Sequence, residues 1–313
     1  MDVSYLLALQ GLREALGPVV EEMFVILSSG LLVVAFAIAL LIYWLVDKRQ
    51  GTYLLFSYSA GSVINQTIKN TFCVYRPWIR DARITPSASA MASATDYSFP
   101  SGHTQTAVSV FGGLAWLQRH ERRGVAVAGV IACVVVAFSR NYLGVHTPQD
   151  VLVAALVGIA GLWVADRTLA WVDAKPARDV VVLLAGLVVG LAFVLYITLK
   201  SYPTDYVNGE LLVDPAKMTA SGYQVFGVYS GCLLGWFAGR RLVNFDVRAD
   251  RRERTLRVVA SVVFAGVGYL VLGALGGALV GEAGRKFAGV FAAMLAALWL
   301  GPWAARQASR RRR

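Results

Sequence analysis

The chain has 313 residues, of which 57% are hydrophobic and 16% charged, against about 25% charged in an ordinary soluble domain. Apolar stretches long enough to cross a bilayer recur from residue 24 to residue 305, which excludes soluble globular, disordered, collagenous and disulfide-scaffold classes. The formal net charge of +11 reads as loop Lys and Arg that set membrane orientation, not as a nucleic-acid footprint.

Residues 1–23 place Leu6, Leu7, Leu9, Leu12, Leu16, Val19 and Val20 at helical spacing among Asp2, Arg13, Glu14 and Glu21. This is the pattern of an amphipathic helix lying at the interface. The stretch lacks the basic start and small-residue cleavage site of a signal peptide, so no removal is expected. Spans are predicted over 24–46, 52–70, 103–117, 125–139, 151–165, 180–199, 221–239, 258–281 and 287–305. The second is polar, and the next three reach full length only if the polar residues at their ends are embedded. The predicted fold is all-α, a polytopic membrane helix bundle of about nine transmembrane helices with an N-terminal interfacial helix. Continuous apolar runs exclude a barrel, whose strands would alternate over about ten residues. The expected organisation is an interfacial helix at 1–23, a transmembrane core at 24–199, further helices at 200–305 and a basic tail at 306–313. Cys73, Cys133 and Cys232 are odd in number and match no zinc spacing, so they read as packing residues.

Alternate loops differ in basic residues. One set holds Lys48 and Arg49; Arg119, Arg122 and Arg123; Arg167, Lys175 and Arg178; seven between 240 and 257; and five from Arg306 onward, twenty in all. The other set holds ten: Arg13, Lys69, Arg76, Arg80, Arg83, Arg140, Lys200, Lys217, Arg285 and Lys286. The first set is expected in the cytoplasm, which puts the N-terminus outside and the C-terminus inside. Residues 310–313 then read as a disordered inside tail near anionic lipid.

Three polar clusters interrupt the apolar pattern, at 69–77, 99–103 and 139–150, and this topology puts all three on the outer side. Two of the three histidines, His103 and His146, fall inside them; His120, among Arg119, Glu121 and Arg122, reads as a solvated helix end. Lys69, Arg76 and Arg140 near a bilayer need an anionic partner or a wet cavity, or each snorkels to the headgroups. Three cations with few nearby acids suit a phosphate, which guanidinium forks grip in bidentate fashion. Ser101-Gly102-His103 follows Pro100 and opens a helix, so free amides and the positive dipole end can meet an anion there. Thr147 and Pro148 read as N-cap and first helical position, with Asp150 in the first turn. From four residues on, Asp150 can orient the His146 imidazole and leave its other nitrogen free as nucleophile or base, or it is simply a capping carboxylate. Two scattered histidines and one carboxylate make a poor divalent-metal site.

Lys69 with six residues to Arg76-Pro77, then Pro100-Ser101-Gly102-His103, then Ser139-Arg140 with five residues to His146 and three more to Asp150, together resemble the three-part signature of the phosphatidic-acid phosphatase type 2 and vanadium haloperoxidase superfamily. No signature position departs from the pattern, and the resemblance covers about residues 50–170. It implies a metal-free, cofactor-free phosphatase. In that mechanism His146 attacks phosphorus and carries a phosphohistidine, Asp150 orients it, and His103 protonates the leaving oxygen and then activates water. Lys69, Arg76, Ser101, Gly102 and Arg140 would cradle the phosphoryl oxygens. The nine-span layout with an outside N-terminus also resembles the glucose-6-phosphatase arrangement. The 22 residues of 78–99 form a loop long enough to be a lid or disordered. Arg80 lies on it, and Trp78 and Tyr97 are placed to flank an entrance, or to anchor at headgroup level.

The function expected is removal of phosphate from a lipid phosphate or diphosphate, such as a phosphatidate or polyprenyl diphosphate, at the extracytoplasmic face of a bacterial cytoplasmic membrane, or the lumenal face in a eukaryote. Alternatives are hydrolysis of a soluble sugar phosphate and phosphotransfer between lipids. A channel or transporter explains a basic cavity but not the pairing of His146 with Asp150, and vanadate-dependent halide oxidation belongs to soluble enzymes. The expected partners are the bilayer and a lipid phosphate, with no nucleic acid; oligomeric state and substrate identity are not legible.

Overall fold

The two longest apolar helices each break at a glycine. A computed structural model describes residues 2–207 and 209–310; residues 311–313, part of the expected basic tail, lie outside the described residues. Helix α1 (Asp2–Leu45) is broken at Gly17, whose φ is 78°, just before Pro18. Glycine takes positive φ without steric cost, and proline offers no N–H to the preceding turn. The amphipathic arm therefore turns off from the apolar arm within the stretch expected to lie at the interface.

Asp47 caps α2 (Lys48–Phe72) by accepting from the Gln50 N–H at 2.9 Å, and Cys73, at φ 48°, closes it by donating to Lys69 O. This is the polar span, with Ser57, Ser59, Ser62, Asn65, Gln66 and Lys69 all buried. Its polar groups face protein and not lipid, which is how a membrane helix tolerates them. Two short helices, α3 (Pro77–Arg80) and α4 (Ala88–Met91), lie at the start and middle of the 78–99 loop. Next, α5 (Gly102–Ala107) continues through a π-helical stretch, Val108–Gly112, into α6 (Gly113–Gln118). Then follow α7 (Arg123–Tyr142), α8 (Pro148–Ala174) and α9 (Arg178–Leu199). A two-residue antiparallel ribbon, β1 (Tyr206–Val207) with β2 (Glu210–Leu211), leads to α10 (Pro215–Ala238). The last elements are α11 (Arg251–Leu295), broken at Gly281, and α12 (Gly301–Arg310).

Among the described residues, five helical segments are long and apolar enough to cross a membrane: α1, α7, α8, α9 and the run 251–310. The chain is an integral membrane protein, helical apart from the small ribbon. Leu184, Val188, Leu191 and Leu195 on α9, and Val263, Leu270 and Leu279 on α11, are exposed, as lipid-facing side chains must be. Helix α2 sits inside the bundle against α1, α8 and α10. At the α2–α8 crossing a Cβ on Gly161 would stand 2.5 Å from Ser57 O, so the two backbones meet directly, as small residues allow in membrane helices. That contact fixes the end of α2 bearing Lys69 against the end of α8 bearing Asp150.

The 78–99 loop is packed. Ala90 and Ala94 join Tyr142, Leu143 and Val145 in a small core, and the Ser87 N–H donates to Leu143 O at 3.0 Å. Arg13, from the first arm of α1, is buried over it and donates to Tyr142 O at 3.0 Å and to Thr85 O.

Candidate active site

Helix ends deliver the polar clusters to one place. Lys69 ends α2, Arg76 precedes Pro77 at the start of α3, Ser101 caps α5, Arg140 ends α7 and Asp150 stands in the first turn of α8. His146 lies on the five-residue connection from α7 to α8. That connection folds on its own backbone: the N–H groups of Val145 and His146 both reach Arg140 O at 3.2 Å, and Asn141 Nδ2 donates to His146 O at 2.9 Å. Thr147 and Asp150 then cap α8 reciprocally, Asp150 Oδ2 accepting from the Thr147 N–H at 2.7 Å.

The geometry settles which imidazole nitrogen is free. His146 Nε2 is 3.0 Å from an Arg76 guanidinium nitrogen, and a guanidinium can only donate. Nε2 is therefore unprotonated, and the ring hydrogen is on Nδ1, 3.4 Å from Asp150 Oδ2. Burial, and then the Arg76 charge, push the His146 pKa from its ordinary 6.5 down to about 3, against a smaller upward pull from Asp150. The result is a neutral, buried, oriented imidazole with a lone pair facing cationic donors, the state a nitrogen nucleophile needs.

The three cations are buried but differ in their partners. Lys69 Nζ donates to Asp96 Oδ2 at 2.7 Å and to Tyr97 O at 2.9 Å. Arg76 binds the Asp96 carboxylate, Asp96 O at 2.7 Å and Val145 O at 2.8 Å. Arg140, 1% exposed, bonds the neutral hydroxyls of Ser28 and Ser93, each at 3.3 Å, and its Nε has no partner among the described residues. A buried guanidinium held only by long bonds to hydroxyls calls for an anion. Ser101 Oγ accepts from the Thr104 N–H and hydroxyl at 3.4 and 3.2 Å. A Cβ built on Gly102 meets no atom within 4 Å, so open space adjoins that backbone. His103 is partly exposed and within electrostatic reach of Arg140, His146, Arg76 and Asp96.

Residues 50–173 match the PAP2 superfamily. The match takes in every position of the three polar clusters. The chain is 32% identical over 120 residues to an undecaprenyl-diphosphatase of Sulfolobus acidocaldarius, covering 38% of this chain and 55% of that one. It is 32% identical over 117 residues to phosphatidylglycerophosphatase B of Bacillus subtilis, covering 35% of this chain and 53% of the relative. Undecaprenyl-diphosphatase BcrC of Bacillus subtilis is 34% identical over 131 residues, 41% of this chain and 64% of its own length. The chain thus spans little more than half the length of the first two relatives. No solved structure matches it.

The PAP2 segment brings together Lys69, Arg76, Ser101, Gly102, His103, Arg140, His146 and Asp150. The three loop residues expected at a lid or entrance have unlike surroundings. Trp78 packs under the loop core, 6.0 Å from the Arg76 guanidinium. Arg80 is exposed and lines a cavity of about 110 Å³ with Asp2, Asp81 and Thr147. Tyr97 is not at a rim: its ring is 0% exposed and packs with Val213 and Met218, because the α9–α10 connection covers it.

Two further residues packed against the candidate site escaped the sequence reading. Ser98 donates to Asp150 Oδ2 at 2.5 Å and lies 3.5 Å from His146 Nδ1, so it shares the carboxylate that faces the imidazole. Asp96 bridges Lys69 and Arg76. The signal was present for Asp96: among the residues of 78–99 only Asp81 and Asp96 are acidic, and buried cations require such a partner. Ser98 carries no such signal beyond its nearness to Pro100.

Proposed function

We propose that this chain is an integral-membrane phosphatase that hydrolyses a lipid phosphate or diphosphate through a phosphohistidine on His146. The observation that carries the reading is the buried His146 with an unprotonated Nε2 set between Asp150 and the cations. Nε2 attacks phosphorus, the bond from phosphorus to the leaving oxygen breaks, and His103 gives that oxygen its proton. Water then attacks the phosphohistidine, His103 takes the water's proton, and the phosphorus–nitrogen bond breaks to release inorganic phosphate. Lys69, Arg76 and Arg140 stabilise the charge spread over the phosphoryl oxygens during both steps. Asp150 holds the hydrogen-bearing nitrogen and stabilises positive charge on the ring.

A lipid substrate is supported by the names of the relatives, undecaprenyl-diphosphatase and phosphatidylglycerophosphatase B, and by a site at helix ends, where a headgroup can enter while its tail stays in the bilayer. In the topology we favour, 48–72, 102–118, 215–238 and the second arm of α11 complete nine spans. The bias of Lys and Arg then puts the N-terminus and the site outside the bacterial cytoplasmic membrane and the C-terminus inside.

Rapid-quench trapping of acid-labile phosphohistidine tests the roles. His146→Asn should form none with any substrate. His103→Asn should keep a burst with an aryl phosphate, whose leaving oxygen hardly needs a proton, and then turn over slowly, since general acid–base help is worth about 10²- to 10⁴-fold. A burst in His146→Asn, or unchanged leaving-group dependence in His103→Asn, would reverse the assignment.

A further inference from the structure

Two of the buried site cations already hold a carboxylate. One oxygen of Asp96 is 2.7 Å from Lys69 Nζ, and the other binds the Arg76 guanidinium. The cations come from different elements, the end of α2 and the start of α3, and Asp96 is the group that joins them. Its side chain is 26% exposed, while Lys69 and Arg76 are buried beneath it. Arg76 also touches His146 Nε2 at 3.0 Å, so the carboxylate and the free imidazole nitrogen share one guanidinium. A phosphoryl group approaching Nε2 must take the same donors.

We propose that Asp96 is a specificity-determining residue, a resident competitor for the phosphoryl position that lets the site admit a doubly charged phosphate and turn away singly charged phosphodiesters. The proposal rests on the phosphatase reading and names what that site selects. Three cations, Lys69, Arg76 and Arg140, face two carboxylates, Asp96 and Asp150, and among the described residues Arg140 forms no ion pair. A phosphodiester displacing Asp96 exchanges one negative charge for one and brings only two unesterified oxygens. A phosphomonoester or terminal diphosphate group carries about −1.5 to −2 near pH 7 and brings three strong acceptors, one for each cation. It alone offsets the positive charge left over when three cations face two carboxylates. Attraction from Lys69 and Arg76 outweighs burial and holds the Asp96 carboxyl well below its usual range, so the competitor stays charged at neutral pH. In the topology proposed above the site lies at headgroup depth, where phosphodiester headgroups would occupy its cations if nothing competed with them.

The test uses the full chain in detergent micelles, with inorganic phosphate as the doubly charged probe and dimethyl phosphate as the singly charged one, read by calorimetry. The unmodified protein should favour phosphate by about 100-fold, the worth of one extra charge contact of some 2.8 kcal/mol. In Asp96→Asn both probes should bind more tightly and the diester should gain more, so that the preference falls below about tenfold. Turnover by that variant, and not by the unmodified chain, should then be inhibited by phosphatidylglycerol. An unchanged preference, or weaker phosphate binding, would show Asp96 to be only a strut between α2 and α3. If Asp96→Asn does not fold, hydrogen exchange on the unmodified chain decides: phosphate but not dimethyl phosphate should speed exchange over 92–98, and slowing by phosphate would overturn the proposal. If phosphohistidine is trapped but the preference is unchanged, only the role of Asp96 fails. If the unmodified chain traps none and binds no phosphate, the phosphatase reading fails and takes this one with it.

Discussion

Replacing Arg140 with Met separates the cost of a buried charge from its use. The guanidinium is 1% exposed, its two bonds at 3.3 Å go to hydroxyls, and its Nε has no partner among the described residues. Two long bonds contribute about 0.5 kcal/mol each, the low end for such bonds, whereas removing an ion from water costs several kcal/mol after relaxation. Methionine fills much of the same volume, so Arg140→Met should be more stable than the unmodified chain by about 1–3 kcal/mol in phosphate-free buffer. Saturating phosphate should reverse the order: at about 100 times Kd it should stabilise the unmodified protein by about 2.7 kcal/mol and leave the variant unmoved. Activity should fall about 10²- to 10³-fold, the usual loss for one donor to a developing anion. Thermal melts in detergent with and without phosphate, followed by phosphate release, make the measurement. A variant that melts lower than the unmodified chain without phosphate, or that keeps the phosphate-dependent shift, would refute the reasoning.

Gly102→Ala should fold normally, since its Cβ meets no protein atom within 4 Å, yet lose phosphate affinity because the methyl enters the space a phosphoryl group needs; equal phosphate binding in the two proteins would count against the cradle. With its pKa near 3, His146 should stay neutral as pH falls from 7 to 5, so the burst of phosphohistidine from an aryl phosphate should keep its amplitude; a loss with a midpoint near 6.5 would contradict the geometry. The unfolded chain does take up that proton below about 6.5, so the His146 contribution to stability should fade as pH drops from there towards 3. Single cysteines in 78–99 should react with an impermeant reagent from outside and those in 240–257 should not, as the distribution of Lys and Arg requires; the reverse labelling would invert the topology.

What could be read in advance was chemistry that an apolar chain has no other reason to carry. Lys69, Arg76, Arg140, His103, His146 and Asp150 stand out because ionisable groups near a bilayer need a partner, and their spacing ties each to a helix end. The Thr147-Pro148 start of α8 was legible for the same local reason. The bend of α1 at Gly17 was visible in the Gly-Pro pair but hidden by the continuous leucine pattern around it. Asp96 was legible only as one of two acids in 78–99 that could meet a buried cation, and Ser98 not at all, because what they touch depends on how 78–99 folds back over α2 and α8. Arg13 is the extreme case. It reads as one charge on an amphipathic helix, and only the packed chain shows it bonded to Tyr142 O and Thr85 O, holding the loop from above.

The residues beyond the PAP2 match bear on the site through that same loop. Tyr97 O accepts from Lys69 Nζ, so the placing of the Tyr97 backbone helps to place a site cation. The Tyr97 ring is held by Val213 and Met218, from the α9–α10 connection and the first turns of α10, with Cys73, Tyr75 and Tyr202 around it. Tyr75 in turn donates its hydroxyl to Asp205 on that connection. Burying an aromatic ring contributes a few kcal/mol, enough to fix one position for a loop that has only two short helices of its own. The fixed position matters because Lys69 and Arg76 meet through Asp96, the neighbour of Tyr97. A loop free to drift there would leave two buried cations without their acid, a state costing several kcal/mol. The C-terminal helices are therefore part of what makes the cationic site affordable, although none of the site's charged groups is theirs.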